Sequence, residues 1–305
     1  MNYLVTGACG QLGCALRLAS SGSRDRWLFT DICDLSQESI SMLRKMGGEP
    51  VDVATARLDV TDEDSVRKIL RDNEIDVVIN AAAYTAVDAA ETRPEEARLL
   101  NVEAPRILAN SVKEIGGILV HISTDYVFGG TAPEPWRETD VTNPLGVYGK
   151  TKLEGERAVV EAGCKYMIIR TAWLFSEFGK NFVRTILKLT SERPEIRVVN
   201  DQFGTPTYAG DLAEIIVKLT LFYSHNGIWN YTNSGQCSWY QFARAIAEEA
   251  GHTNCRVEAC TTADYPTPAR RPAWSVLDKS RIAADFGIVP LAWEDSLRRC
   301  LENLR

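Results

Sequence analysis

Short apolar runs alternate with amphipathic segments along the first half of the chain. The apolar runs are rich in β-branched and aromatic residues, and they predict strands at NYLVTG, RWLFTD, ARLDV, DVVINAA, ILVHIS and YMIIRTAW. Between these runs the apolar positions return at helical spacing, which predicts helices over 11–21, 36–47, 62–72, 94–115 and 147–162. The third of these helices has Thr61 or Asp62 as its capping residue. The alternation is typical of a parallel sheet with helices packed against it.

Beyond about residue 173 the alternation becomes irregular. Helical spacing returns near 180–190, over 209–223 and near 238–250, and the runs IRVVND and GIWNYTN are extended. With 305 residues the chain is long enough for one large domain and a smaller lobe. We expect the large domain over 1–173, with 207–230 returning to it, and the smaller lobe over 174–206 and 231–305.

Charge and composition narrow the range of partners. The net charge is -7 and no run of Lys and Arg occurs, so we expect no nucleic-acid partner. No apolar stretch reaches the roughly 18 residues of a membrane span, and a strand that begins at the N-terminus leaves no room for a secretion signal. The eight cysteines are scattered without a C-x-x-C pair, which argues against a zinc site. We expect a cytoplasmic protein with reduced thiols and no membrane partner.

The segment TGACGQLG follows the first predicted strand and opens the first predicted helix. Gly7 can turn the chain, Gly10 leaves space for a pyrophosphate, and Gly13 lets the helix pack closely on the sheet. The free N–H groups of this helix, which begins with Gln11 and Leu12, would face the phosphates. Three glycines could instead form only a strand-to-helix turn. The context favours a dinucleotide site, and hence a doubly wound α/β sheet of Rossmann type with a smaller, mainly C-terminal α/β substrate lobe.

Asp31 ends the second strand, eighteen residues after Gly13. A carboxylate there can accept hydrogen bonds from both ribose hydroxyls of adenosine and repels a 2′-phosphate, so it favours NADH over NADPH. Asp31 could instead be a strand-end cap. We further expect Asp59 and Val60 to bracket the adenine, and the small residues at 81–83 (Ala81, Ala82 and Ala83) to let the cofactor lie against backbone.

Tyr148 and Lys152 stand four residues apart at the start of a predicted helix, so both side chains project from one face. Thr124 ends the preceding strand, where α/β proteins bind ligands. A nearby ammonium and a positive nicotinamide ring would favour the phenolate, so Tyr148 is the candidate acid and Lys152 its activator. Singly, these residues could be a turn cap, a packed ring and a solvated lysine. In the helix LLNVEAPRILA, we expect Asn101 to bridge backbone groups near the site.

These segments occur in the order seen in the extended short-chain dehydrogenase/reductase family, which the chain resembles over essentially its whole length. More narrowly, AYTAVDAAE, STDYVFGG, NPLGVYGKTKLEGE, RTAWLF, GKNFV, NDQFGTPTY and ARRPAWSVLD resemble the dTDP-4-dehydrorhamnose reductases. The resemblance implies hydride transfer from NADH or NADPH to the C4 keto carbon of dTDP-4-dehydro-L-rhamnose. It implies that Tyr148 protonates the alkoxide, Thr124 hydrogen-bonds it, and Lys152 holds the nicotinamide ribose.

The resemblance also implies a set of substrate residues. Asp125, Tyr126 and Trp173 would line the sugar pocket, and the region around Asn181 and Arg271 would face the diphosphate. The residues themselves support part of this assignment. Trp173 can present an aromatic face to a deoxy sugar, although it could equally be a core residue. Arg270 and Arg271 offer fork-shaped donors that suit a diphosphate, or are simply solvated charges.

In this family a magnesium-linked dimer is known, and a homodimer is therefore possible. Only Asp211 and Glu214 offer acidic residues in approximate register, so we predict no required metal.

Related proteins leave other functions open. A nucleotide-sugar 4-epimerase or a dehydratase would share the glycine turn, Thr124, Tyr148 and Lys152. A dehydratase would need a second carboxylate after Asp125 to form an acid–base pair, and this chain has Tyr126 at that position. A non-catalytic regulatory subunit, such as that of methionine adenosyltransferase, has a similar fold, but the intact tyrosine and lysine argue against that reading.

Overall fold

The computed structural model describes residues 1–47, 52–131, 134–222 and 225–305. Its strands, in chain order, are β1 Asn2–Thr6, β2 Arg26–Asp31, β3 Ala56–Arg57, β4 Val77–Asn80, β5 Ile118–Thr124, β6 Lys165–Thr171, β7 Leu174–Phe175, β8 Glu195–Val199, β9 Phe203–Gly204, β10 Thr207–Tyr208, β11 Gly227–Asn230, β12 Cys237–Ser238 and β13 Arg256–Cys260.

The α-helices of the described residues are α1 Gln11–Ala19, α2 Gln37–Gly47, α3 Glu63–Asp72, α4 Val87–Ala90, α5 Pro94–Arg98, α6 Ala104–Ile115, α7 Val147–Ala162, α8 Phe182–Glu192, α9 Ala209–Leu219, α10 Trp239–Glu249, α11 Ser280–Phe286 and α12 Trp293–Leu304.

Seven strands form one parallel sheet in the order β11-β6-β5-β4-β1-β2-β3. This order reverses direction between β1 and β4, which is the arrangement of a Rossmann-type sheet. The inner strands are almost wholly buried, since helices cover both faces. The predicted fold class is confirmed.

Two apolar cores lie on opposite faces of this sheet. On one face, Leu16 of α1 and Leu212 of α9 pack against Val5 of β1. On the other face, residues of α3, α6 and α7, such as Leu108 and Val159, pack in the core that contains Leu4. Because successive residues of β1 point to opposite sides, Leu4 and Val5 serve the two cores in turn.

Local signals placed some helix boundaries well and others less well. Asp62 caps α3, since its side chain accepts a hydrogen bond from the Ser65 N–H. The predicted helix over 94–115 is interrupted, because Leu99–Glu103 forms a π-helical segment between α5 and α6. The predicted helix over 209–223 ends at Leu219, a 3₁₀ turn follows over Thr220–Phe222, and residue 223 lies outside the described residues.

A third apolar core joins α8, α10 and α12 with the paired strands β8 and β13. β11 pairs with β6 in the large sheet, and α9 packs on α1. The return of 207–230 to the large domain and the division into two lobes both stay predictions. No helix of the described residues is both long and apolar enough to cross a membrane.

Candidate active site

The candidate residues gather at the carboxyl edge of the large sheet. Gly7 follows β1, Ala81 follows β4, Thr124 ends β5, and Trp173 follows β6. These four strands are neighbours in the order β6-β5-β4-β1. Parallel neighbours end on the same edge, so the topology places the glycine turn beside the polar residues after β5.

The glycine turn is packed too closely for side chains at two of its three glycines. Gly7 has a φ of 66°, and a Cβ there would lie 2.6 Å from the Ala82 nitrogen. A Cβ on Gly13 would lie 2.4 Å from the Ala8 Cα. At Gly10 the nearest atom, the Gly7 oxygen, is 3.3 Å away. The turn thus packs against the residues after β4 and against itself, whereas Gly10 is exposed to solvent.

The start of α1 suits an anion. Gly10 is the N-cap of this helix and provides no side-chain acceptor, and the first turn contains no acidic residue. Gln11 accepts a hydrogen bond from the Ser176 hydroxyl, at 3.0 Å, and Leu12 is buried. The first N–H groups of α1 are therefore available to the pyrophosphate of a dinucleotide, which fits the space beside Gly10.

Asp31 lies at the end of β2, beside the glycine turn. Its Oδ2 accepts a hydrogen bond from the Cys9 N–H at 2.9 Å, and its Oδ1 accepts one from the Ile32 N–H at 2.7 Å. Each carboxylate oxygen can accept a second hydrogen bond. Oδ1 also accepts from the Cys33 N–H and the Cys33 thiol, both at 3.4 Å. These donors orient the carboxylate and leave Oδ2 able to accept from a ribose.

The other predicted adenosine contacts follow β3 and β4. β3 ends at Arg57, and Asp59 accepts hydrogen bonds from the Thr61 N–H and hydroxyl. Val60 is buried in the core. The residues Ala81, Ala82 and Ala83 are half-buried directly after β4.

The phenol of Tyr148 is buried near the start of α7. Burial is the main cause that raises the pKa of Tyr148 to about 12. A hydrogen bond with Thr124 opposes this rise, and the Asp125 carboxylate adds to it. The phenol is thus coupled to Thr124 and Asp125, and it holds its proton firmly at neutral pH.

Lys152 lies one turn further along α7 and is also buried. Its Nζ donates to the Ile122 carbonyl at 2.6 Å. Burial lowers the pKa of Lys152 to about 8, and the charge of Glu156 opposes that fall. Burial, Thr124 and Asp125 account for the shift in the pKa of Tyr148. That the Lys152 ammonium lowers this pKa stays a prediction.

Thr124 and Asp125 form a short buried chain of hydrogen bonds. The Thr124 hydroxyl accepts from the Tyr126 N–H and donates to Asp125 Oδ1 at 2.9 Å. The other carboxylate oxygen of Asp125 is buried and has no partner among the described residues. Burial raises the pKa of Asp125 to about 7, and the neighbouring Ser275 and Thr124 hydroxyls oppose the rise. The Tyr126 ring meets the Tyr148 ring edge-on, with the centroids 5.5 Å apart.

A buried ion pair behind Lys152 was not expected from the sequence. Glu156 receives two hydrogen bonds from the Arg170 guanidinium, at 2.9 and 2.7 Å, and a third from the Ser123 hydroxyl. Both charged side chains are 3% exposed, so water does not screen the pair. Glu156 follows Lys152 by four residues, and that spacing was the signal that could have revealed it.

The π-helical segment supports α7 closely. Asn101 accepts a hydrogen bond from the Tyr84 N–H and donates to the Tyr84 carbonyl and to Thr151. Its predicted role as a bridge between backbone groups is confirmed. A Cβ on Gly155 would lie 2.0 Å from the backbone carbonyl oxygen of Asn101, so α7 can approach this segment closely only because residue 155 is glycine.

Trp173 has an unusual backbone conformation for a residue with a large side chain. Its φ is 48°, which is strained for any residue other than glycine. The indole stacks on Trp239, with the ring centroids 3.5 Å apart. One aromatic face is therefore covered, and contact of the other with a sugar stays a prediction.

Arg271 and Asn181 have protein partners here. The Arg271 guanidinium donates to both carboxylate oxygens of Asp88, at 2.9 and 2.7 Å. Asn181 caps α8 through the Arg184 N–H, and its amide nitrogen donates to the Ser176 and Phe178 carbonyls. Contact of either residue with a diphosphate stays a prediction.

The two acidic residues considered for a metal differ in environment. Asp211 is buried, and its carboxylate accepts hydrogen bonds from Asn233, Ser296 and Arg299. Glu214 is exposed and 3.9 Å from Arg299. The Asp211 carboxylate is thus committed to the interior of the protein and does not fit a metal ligand.

Comparison with known proteins gives a consistent result. A family model described as RmlD substrate binding domain matches residues 1–305. A dTDP-4-dehydrorhamnose reductase of Burkholderia thailandensis is 38% identical over 319 residues, which cover 100% of this chain and 99% of the relative.

Two solved structures of the same description also match. The crystal structure of a dTDP-4-dehydrorhamnose reductase from Clostridium acetobutylicum has a TM-score of 0.88 and 37% identity, and the match covers 100% of this chain and 99% of that one. The enzyme of Bacillus anthracis, solved in complex with NADP, has a TM-score of 0.84 and 32% identity, with 99% of both chains covered.

Proposed function

The chain belongs to the family of the dTDP-4-dehydrorhamnose reductases, and from that membership we propose that it reduces the C4 keto group of dTDP-4-dehydro-L-rhamnose to give dTDP-L-rhamnose. It is an NAD(P)H-dependent oxidoreductase. When bound, the coenzyme supplies the hydride that converts the C4 carbonyl to an alkoxide. The glycine turn with Gln11, Leu12 and the start of α1 holds the pyrophosphate, and Asp31, Asp59, Val60 and the alanines after β4 hold the adenosine.

Tyr148 donates the proton that the alkoxide needs. Because burial raises the pKa of its phenol to about 12, Tyr148 carries a proton throughout the neutral range. Release of that proton to the alkoxide then depends on positive charge beside the phenol. The Thr124 hydroxyl lies against the phenol, and it hydrogen-bonds the same substrate oxygen once its single proton turns away from Asp125. Lys152 binds the nicotinamide ribose and supplies the positive charge that makes proton release from the phenol easier.

The sugar and the diphosphate are held by residues around this acid. Asp125, Tyr126 and Trp173 line the sugar pocket, where the unpartnered Asp125 oxygen can accept a hydrogen bond from a sugar hydroxyl. Arg271 and Asn181 face the diphosphate. Arg271 releases the Asp88 carboxylate and donates its two parallel hydrogen bonds to the diphosphate instead.

The convergence of the Tyr148 ring, the Tyr126 ring and the Thr124–Asp125 hydrogen bond at the carboxyl edge of β5 is the observation that best supports this chemistry. Its test is the oxidation of NADH or NADPH by the purified protein with dTDP-4-dehydro-L-rhamnose. We expect Tyr148→Phe to lower kcat about 10³-fold, because general acid catalysis typically contributes 10²- to 10⁴-fold.

Tyr166→Phe is the matched control, since Tyr166 is a half-buried tyrosine of β6 away from the carboxyl edge. The Tyr166→Phe variant should reduce the nucleotide sugar at the wild-type rate. Absence of turnover by the wild-type protein with either coenzyme would contradict the proposal and favour a regulatory subunit. Interconversion of C4 epimers without net loss of coenzyme would instead identify an epimerase.

The coenzyme preference is for NADH. Asp31 is oriented by the backbone N–H groups of Cys9, Ile32 and Cys33, and Asp34 adds a second negative charge nearby in sequence. The relative from Bacillus anthracis was solved with NADP, so this choice needs its own test. We expect Asp31→Asn to raise the ratio of kcat/KM for NADPH to that for NADH at least about 10-fold, since it removes a charge repulsion.

Arg57 offers a control for the coenzyme test. It lies opposite Asp31 in the register of β2 and β3 and is exposed. Arg57→Ala should leave kcat/KM for NADH unchanged. A wild-type protein that prefers NADPH, and loses that preference in Arg57→Ala, would overturn the assignment to NADH.

We include a cytoplasmic location and a possible homodimer in the proposal. All eight cysteines of the chain carry free thiols in the structure, which suits a reducing compartment. Cell fractionation and light scattering of the purified protein test these two points.

A further inference from the structure

Two cysteines that are far apart in sequence meet beside the glycine turn. Cys9 lies three residues after β1 and Cys33 lies two residues after β2. β1 and β2 are parallel neighbours, so both thiols reach the same sheet edge, where Asp31 also lies. One donor atom from each residue, two sulfurs and a carboxylate oxygen, lie within 4.8 Å of one another.

These separations are close to those of a zinc site. Zinc–sulfur distances near 2.3 Å and zinc–oxygen distances near 2.0 Å place tetrahedral ligands about 3.8 Å apart for two sulfurs and about 3.5 Å apart for sulfur and oxygen. The Cys33 sulfur is 3.4 Å from Asp31 Oδ1, and the Cys9 sulfur is 3.2 Å from the Cys33 carbonyl oxygen. Since the three donor atoms lie within 4.8 Å of one another, each pair needs to approach by no more than about 1 Å to reach these ligand separations.

We propose that Cys9, Asp31 and Cys33 form a binding site for a thiophilic divalent cation such as Zn²⁺, with a water molecule as the fourth ligand. Two thiolates and a carboxylate form a donor set that favours such ions over Mg²⁺ or Ca²⁺. Cys33 is exposed and Cys9 is half-buried, so an ion can enter from solvent. The site differs in kind from a required catalytic metal, because no step of the reduction uses it.

Binding of the ion is coupled to loss of protons. Burial is the main cause that raises the pKa of the Cys9 thiol to about 12, and Asp31 and Cys33 add to it. Burial and the Asp31 charge likewise raise the pKa of Cys33. Both thiols are therefore protonated in the free protein, and one bound ion releases two protons. Its two positive charges then offset the repulsion among the three anionic ligands.

The ion and the coenzyme exclude each other. An ion held by Asp31 takes the carboxylate that the adenosine ribose needs, and it lies beside the turn that receives the pyrophosphate. This exclusion rests on the proposed function, whereas the metal site itself does not. By linkage, saturating coenzyme must weaken binding of the ion by the factor with which the ion weakens binding of the coenzyme.

The test uses the full-length protein, freed of metal and kept under a non-thiol reductant, with CdCl₂ as the spectroscopic probe and ZnCl₂ in competition. We expect one Cd²⁺ per chain with an ultraviolet thiolate-to-metal charge-transfer band, which Zn²⁺ displaces. Cys9→Ser and Cys33→Ser should each lower the affinity at least about 10-fold. Cys260→Ser, at a buried cysteine in β13, is the matched control and should bind like the wild type.

Two results would overturn the metal site: no charge-transfer band in the wild type, or a band that survives unchanged in both serine variants. Circular dichroism of each variant shows whether it is folded. Addition of NADH should abolish the band in the wild type, and simultaneous binding of ion and coenzyme would overturn the exclusion. Turnover measured in a chelator reports on the proposed function alone, so the two failures are distinguishable.

Discussion

Asp125 shows how a single buried carboxyl group is balanced. Its Oδ1 accepts a hydrogen bond from Thr124, while its Oδ2 is buried without a partner among the described residues. Burial raises the pKa from 3.8 to about 7, and the Ser275 and Thr124 hydroxyls offset only part of that rise. In the folded protein this group holds a proton at pH values where the unfolded chain has lost it.

This difference predicts how stability changes with pH. Between pH 4 and 7 the folded state binds more protons at Asp125 than the unfolded state does, so the contribution of this residue to stability falls as pH rises. Because asparagine does not titrate, Asp125→Asn removes this loss of stability with rising pH. Relative to wild type, the variant should gain stability from pH 4 to pH 8, up to the order of 4 kcal/mol. Urea unfolding at both pH values measures the gain, and an equal difference at both would contradict it.

At the scale of an element, α7 carries both the candidate acid and the charges behind it. Tyr148, Lys152 and Glu156 recur every four residues on this helix, and Gly155 lets the helix approach the π-helical segment. Glu156 is held by Arg170 of β6 and by Ser123 of β5. One helix is thereby tied to two strands directly below the candidate site.

The pair of Glu156 and Arg170 makes a prediction about this helix. Glu156→Gln leaves a buried guanidinium without its counter-charge, and we expect a loss of about 3 kcal/mol in the free energy of unfolding. It should also lower the pKa of Lys152 further, because the Glu156 charge raises it. Denaturant titration measures the stability, and NMR titration of the lysine measures the pKa.

Glu154→Gln is the control for Glu156→Gln. Glu154 lies on the same helix and pairs with Arg98, but both side chains are more than 40% exposed. Exposed pairs contribute up to about 1 kcal/mol, so this variant should stay close to wild type. Equal losses in the two variants would mean that burial of the Glu156 pair has no special effect.

Sequence patterns predicted the type of most elements but not the interruptions within them. Apolar periodicity over 94–115 is continuous, because a π-helical segment keeps the chain helical and shifts its face by one residue only. The shift depends on the Tyr84 backbone and on Thr151, which lie elsewhere in sequence. No local signal could have revealed it.

At the scale of the whole molecule, one ion pair joins distant parts of the chain across the site. Asp88 in α4 accepts two hydrogen bonds from Arg271 and one from the Ala269 N–H, 181 residues away. Arg271 also lies near the Tyr126 phenol: burial raises the pKa of Tyr126, and the positive charge of Arg271 opposes that rise. The C-terminal segment is thereby fixed to the region that follows β4.

Replacement of Arg271 tests the role of this connection in substrate binding. Arg271→Lys keeps the charge but cannot donate in a fork, so we expect KM for the nucleotide sugar to rise about 10-fold with a small change in kcat. Steady-state kinetics measure both constants. Arg270→Lys, at the exposed neighbouring arginine, is the control and should change neither constant. A fall in kcat alone for Arg271→Lys would contradict the binding role.

The fold class and the residues of the candidate site could be predicted from short motifs, whereas the partners of those residues could not. The glycine turn, Asp31, Thr124, Tyr148 and Lys152 each carry a local signal. The partners of Glu156, Asp88 and Cys9 come from other strands or segments, and only the sheet order brings them together. The absence of a C-x-x-C pair was therefore a poor guide to whether thiols meet.

The distribution of thiols has a practical consequence. Six of the eight cysteines are buried, and only Cys9 and Cys33 reach the surface. A maleimide dye added to the native protein would label this one place without any engineered cysteine. The emission of that dye would report directly on what occupies the neighbouring glycine turn.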